Sequence, residues 1–212
     1  MMTVQLNFIN QSHSKPVNVV IFQKNLALKS SELAVAWRVI ANSRPGDAFP
    51  FPFPSQLEMA VSDSFGEMTP RIQVNSGQSL HVRESSSGKE LAYLGPSTAK
   101  ASIQFRNDLP GGSVNANIYR GDNLLAMKTG IAPEQKASFR FTPTIWIGII
   151  DEINEGQVNE GQVMNSVIID QINTQLSLTG ITSANITMTG GGPGMNSKPF
   201  KFMLTDVQKA GA

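Results

Sequence analysis

The chain has 212 residues, 17 basic against 16 acidic side chains for a formal net charge of +1, and no cysteine. The length suffices for a buried core without staples, and the charge balance withholds the electrostatic footprint of a nucleic-acid binder. The missing thiols exclude disulfides, thiolate catalysis and Cys-ligated metals.

At the N-terminus, MMTVQLNFINQSHSKPV shows no basic stretch followed by an apolar one, so no secretory signal is expected. No stretch reaches 18 apolar residues, so no transmembrane helix is expected either. A cytoplasmic location follows as the expectation, with leaderless release open. Val4, Leu6 and Phe8 alternate with Gln5 and Asn7, the period of a half-buried strand. After the turn signal QSHSKP comes VNVVIFQ (Val17–Gln23), continuously apolar and suited to a central strand.

Segment 31–42 carries two periods. Leu33, Trp37 and Ile40 have helical spacing, whereas Leu33, Val35, Trp37 and Val39 have strand spacing, and the all-β surroundings favour strand. Beyond SRPGD, AFPFPFP (Ala48–Pro54) alternates Phe49, Phe51 and Phe53 with prolines that cannot donate ladder hydrogen bonds. Such a segment fits a sheet edge, its three rings laid over the core. A partner or assembly surface is its functional reading.

Further alternating pairs follow: Ile72 and Val74, Leu80 and Val82, Ile103 and Phe105, Phe139 and Phe141, Ile186 and Met188, Phe200 and Phe202. IWIGII (Ile145–Ile150) reads as a second central strand. Segment 165–176 is again ambiguous and can hold a short helix. Turn signals such as NSGQ, SSSGK, DLPGG, YRGDN and GGGPG separate the runs. The pattern predicts an all-β fold, an antiparallel β-sandwich of many short strands with room for one short helix. No linker rich in Gly, Ser or Pro exceeds five or six residues, so a single domain over 1–212 is expected.

The chemistry inventory is thin. His13 falls in a turn; His81 shares the polar face of a strand with Ser79 and Arg83. Ser-His-Asp arrangements are spatial, but no nucleophile elbow is present, and ordinary surface histidines are the plainer reading. GGGPG leads from one alternating strand to another, a hairpin loop rather than a phosphate loop opening a helix. SSSGKE lacks the rest of a P-loop. No enzyme and no cofactor are expected. Trp37 and Trp146 lie in apolar runs and read as core, while Tyr93 and Tyr119 are the better surface candidates.

NEGQVNEGQV (Asn154–Val163) is a five-residue word said twice. Five residues inserted in a paired strand would flip every later side chain to the other face, so the duplication belongs outside a ladder, in a lengthened, projecting loop. Asp151, Glu152, Glu155 and Glu160 invite a calcium reading, although the EF-hand pattern is unmatched and a solvated acidic loop is plainer. Asn159, Glu160, Gly161, Gln162 and Val163 are candidates for an intersubunit arm, beside Phe49, Phe51 and Phe53.

LNFINQSHSKPVNVVIFQK, LAVAWRVI and FTPTIWIGIIDEINEGQV together resemble a pattern in small all-β bacterial proteins, and the chain is similar there to the rhizosphere-expressed protein of rhizobia. The resemblance implies an intracellular bacterial β-sandwich and carries no activity with it. The leading functional expectation is a non-catalytic, self-assembling structural protein, its partner a second copy of itself in a homo-oligomer or polymer. Few charges oppose association in a chain only 16% charged. The alternatives are a released, host-directed toxin acting on a membrane surface and a lectin-like module binding a glycan.

Overall fold

The computed structural model describes residues 3–27, 34–150 and 158–211. The first strands are β1 (Thr3–Asn10), β2 (Val17–Phe22), β3 (Arg38–Ser43), β4 (Ala48–Pro54), β5 (Leu57–Asp63), β6 (Ile72–Val74), β7 (Gln78–Ser85) and β8 (Gly88–Pro96). After them come β9 (Ile103–Asn107), β10 (Val114–Arg120), β11 (Asn123–Ile131), β12 (Lys136–Phe139) and β13 (Thr144–Ile150). A short helix α1 (Ser166–Gln171) precedes β14 (Thr174–Ser177), β15 (Ile181–Gly191) and β16 (Lys198–Lys209). The all-β expectation and its one short helix hold. Of the two ambiguous segments, the first contains β3, and the second holds α1 followed by β14. Asn165 caps α1 by accepting the Ile168 N–H at 2.9 Å.

The chain gathers into two compact units, where the sequence suggested one domain. One takes the described parts of 1–24, 33–55 and 143–212; the other takes those of 25–32 and 56–142. No composition shift marks the crossings because, among the described residues, the chain passes between units in single steps, at 24/25, 55/56 and 142/143. Each unit has two four-stranded sheets.

In the first unit, sheet I runs β16-β15-β1-β4 and sheet II runs β14-β13-β2-β3. The antiparallel expectation needs one amendment here: β1 and β15 pair in parallel. They lie at opposite ends of the chain, so no hairpin dictates their direction. β4 is an edge strand, its Pro50, Pro52 and Pro54 opposite Asn7, Gln5 and Thr3. Trp37 sets its ring edge-on to Phe51 and Phe53, centroids 6.2 and 5.4 Å apart. The other face of sheet II is covered too: Val20, Phe22 and Ile150 pack with Ala36, Val158, Met164, Ile168 and Ile172. Burial on both faces is why β2 and β13 read as continuous apolar runs.

In the second unit, sheet III runs β11-β10-β5-β6 and sheet IV runs β12-β9-β7-β8, with β7 and β9 parallel. Met59, Val61, Ile118, Leu125, Leu80, Val82, Phe105 and Phe139 are buried there. An ion pair from Lys89 on β8 to Asp63 on β5 ties the two sheets together.

Candidate functional site

β15 and β16 form the hairpin that GGGPG predicts, with a 3-10 turn at Gly194–Asn196. Glycine is required at two of its positions. Gly190 and Gly191 have φ of 99° and 70°, and a Cβ on Gly190 would overlap the Pro199 carbonyl. One on Gly191 would come 2.9 Å from Ser14 Cβ and 3.0 Å from the Phe200 ring. The glycines therefore let β16 and the 12–14 segment close on the end of β15.

That segment is held by a buried amide. Asn10 donates through Nδ2 to Ser43 O and Oγ, both at 3.1 Å, and accepts the Ser12 N–H at 2.9 Å. Gln11 and His13 then donate their backbone N–H groups to Met188 and Gly190, which prolongs the parallel pairing past β1. The hairpin, this segment and the start of β16 surround a cleft of about 670 Å³. Gln11, His13, Thr189, Lys198 and Lys201 are its polar lining residues, among glycine and proline carbon. Sequence reading placed His13 in a turn and GGGPG in a hairpin, but did not bring them together. The lysines of SKPFK beside the glycine run were the one available signal.

A second cluster lies on sheet IV. His81 stands opposite Arg106 in the parallel β7–β9 pair. Asp108 meets His81 Nδ1 at 2.6 Å through Oδ2, which also accepts from an Arg106 terminal nitrogen at 2.7 Å. Arg106 Nε faces the other carboxylate oxygen. Arg106 first, and His81 after it, hold the Asp108 carboxyl below the usual range against the opposing effect of burial. With Arg106 on both oxygens, the carboxylate charge is neutralised locally, and the trio acts as a clamp on the parallel pair.

The third cluster is built on Asp63. Its Oδ1 accepts the N–H groups of Phe65 and Glu67 at 2.8 and 3.0 Å, while Oδ2 receives Lys89. The hydrogen bond from Lys89 is the main cause of a lowered Asp63 pKa, opposed by burial and aided by the two backbone donors. The same bond raises Lys89. The loop so fixed presents Phe65, 90% exposed. Beside it lies a cleft of about 460 Å³ lined in part by Asp63, Glu67, Met68 and Lys89.

The other expected site residues are dispersed. Phe51 and Phe53 are 3% exposed and belong to the core of their own unit, while Phe49 is half-buried with its ring 6.4 Å from Phe8. The second NEGQV is docked rather than projecting. Ala36 N donates to Gln162 O and Gly161 N to Ala36 O, Val35 bridges Val163, and Glu160 accepts the Val39 N–H at 3.1 Å. The cause is apolar: Val158 and Met164, on either side of the word, are buried in the cluster over sheet II. Of the calcium candidates, Asp151, Glu152 and Glu155 lie outside the described residues, and Glu160 sits 3.9 Å from Arg38. Among the described residues no group of three or more His, Asp or Glu is placed to hold a metal. Nor is any described helix long and apolar enough to cross a membrane. Tyr93 is exposed as expected, but Tyr119 is 8% exposed, covered by the Arg71 guanidinium 3.6 Å from its ring centroid. Trp37 is core; Trp146 is half-buried, stacked on Phe22 with Lys24 over its ring.

Comparison of the chain with protein-family models, curated proteins and solved structures finds no significant match.

Proposed function

We propose that the protein is a non-catalytic binding protein whose ligand occupies the cleft at the glycine-rich hairpin. One observation carries this reading: Gln11, His13, Thr189, Lys198 and Lys201 line, with glycine and proline carbon, one cleft of about 670 Å³, within the usual size of small-molecule sites, roughly 300–1,000 Å³. The cleft stands on paired backbone and on a buried, fully bonded asparagine, so it is held in shape before a ligand arrives. Screening small polar molecules by thermal shift tests the reading. A ligand at a hundredfold excess over Kd should stabilise the fold by about 2.7 kcal/mol, and Gln11→Ala with His13→Ala should abolish the shift. A shift that survives both substitutions would place the ligand elsewhere.

Self-association is a second reading, and β8 favours it. This nine-residue edge strand leaves Tyr93 58% and Leu94 42% exposed, the composition of a contact surface rather than of a solvated edge. In sheet I the edge strand β16 also exposes apolar side chains, Met203 at 52% and Val207 at 37%, but both edges are blunted. β4 is interrupted by prolines, and β16 carries Lys198, Lys201 and Lys209 with a bulge at Asp206, φ 49°, both devices that oppose strand pairing. Light scattering should then show a dimer that Tyr93→Lys or Leu94→Lys converts to monomer. A wild-type monomer over a wide concentration range would remove this reading.

A further inference from the structure

We infer that the ligand of the hairpin cleft is a small organic anion, held by Lys198, Lys201 and His13; this rests on the cleft being a binding site at all. The charge of the lining is one-sided. Lys198, Lys201 and His13 line it, and among the described residues lining it there is no Asp or Glu. The whole chain has nearly balanced charge, so the segregation is local. Lys198 stands opposite Gly191 and Lys201 opposite Thr189 in the β15–β16 register. The two lysines thus flank the glycine run from one side, while Gln11 and His13 approach from the parallel strand.

An arrangement of donors without acceptor charges favours a ligand that brings its own negative charge, since charge-assisted hydrogen bonds are stronger than neutral ones. The remaining walls are the glycines with Pro193 and Pro199, which give carbon surface for a compact organic body. The volume admits a monosaccharide-sized molecule. Carboxylate and phosphate share the required chemistry. Neither glycine conformation nor a helix terminus is needed, because the side chains supply the donors.

The test uses the full chain, labelled with ¹⁵N, titrated at constant ionic strength with glucuronate, inorganic phosphate and glucose in parallel. Saturable shifts of amides in Gln11–His13 and Thr189–Lys201 with glucuronate, phosphate or both are expected. Glucuronate alone identifies the carboxylate, phosphate alone the phosphate. Glucose should bind at least about tenfold more weakly than the better anion. The Lys198→Gln/Lys201→Gln variant, with unchanged thermal unfolding, should lose about tenfold in anion affinity, and Lys201→Gln alone should lose part of it. Anion binding equal in wild type and double variant overturns the inference. Glucose binding at the cleft with neither anion binding also overturns it while leaving the binding function intact, and silence from all three probes removes both.

Discussion

Gly148 shows how one missing methyl group decides packing. It stands in β13 opposite Val20, on the face of sheet II that receives α1 and its flanks, and a Cβ there would fall 2.6 Å from Ile172 Cγ1 and 3.3 Å from Ile172 Cβ. Rotation about χ1 can move Cγ1 but leaves the Ile172 Cβ at 3.3 Å, so Ile172 must also shift by a few tenths of an ångström. Gly148→Ala should therefore cost about 1–3 kcal/mol, the range for overpacking, read by urea unfolding; an unchanged midpoint would mean that the helix side of the cluster yields freely. Phe51 tests the opposite case. Its ring is buried against Trp37 and lies under the Arg38 guanidinium, 5.1 Å from centroid to Cζ. Phe51→Ala should cost about 3–5 kcal/mol, and a loss under about 0.5 kcal/mol would contradict its place in the core.

At the scale of elements, the doubled word has a consequence for its own deletion. Removing Asn159–Val163 or removing 154–158 leaves the same polypeptide, since the two copies are identical and adjacent. In the shortened chain the remaining NEGQV is still followed by Met164 and is preceded by Ile153 in place of Val158. Both buried anchors of the docked segment keep apolar side chains. In the intact chain the second copy is followed by Met164, an apolar side chain that the buried position accepts, whereas the first is followed by the polar Asn159. The deletion should thus preserve the β fold, with a stability change within about 1 kcal/mol from loop closure. Met164→Ala should cost about 2–5 kcal/mol. A deletion as damaging as Met164→Ala would show that the five residues are needed to span the distance from β13.

For the whole molecule, acid sensitivity should be uneven. Asp63 and Asp108, both in the second unit, have carboxyl pKa values lowered by Lys89 and by Arg106 with His81 respectively. A depressed folded pKa contributes stability that is present above the unfolded value, about 3.9 for Asp. It is lost as pH falls through the folded pKa. Lys89 is raised, so its contribution is full below the unfolded value of about 10.4 and is lost as pH rises through the folded one. The Asp63–Lys89 link between sheets III and IV should hold between roughly pH 4 and pH 10. Hydrogen exchange, corrected for intrinsic rates, should lose protection in β5 and β8 at pH 3 before it does in β1 and β15. Asp63→Asn should remove much of that difference by weakening the second unit already at pH 7. Equal loss in both units at pH 3 would refute the assignment.

Period-two alternation and proline placement are local properties, set by which face of a strand meets water and which backbone positions can go without a donor. The amino-acid sequence therefore determined the β class, strands such as β1, β7 and β9, the proline-bearing edge at β4, the glycine-rich hairpin and the polar face of His81. It concealed β5, where Met59, Ala60 and Val61 are buried in succession, and β10, where Asn117 and Arg120 are buried among apolar residues. A strand covered on both faces, or one with polar groups buried, has no alternation to read. Only the tertiary structure decided the division into two units and the parallel β1–β15 and β7–β9 pairs. Only it brought His13 to Lys201 and His81 to Asp108, or set the second NEGQV on Ala36. Each joins residues far apart in the chain, and such contacts depend on which buried surfaces fit together, which no residue carries by itself.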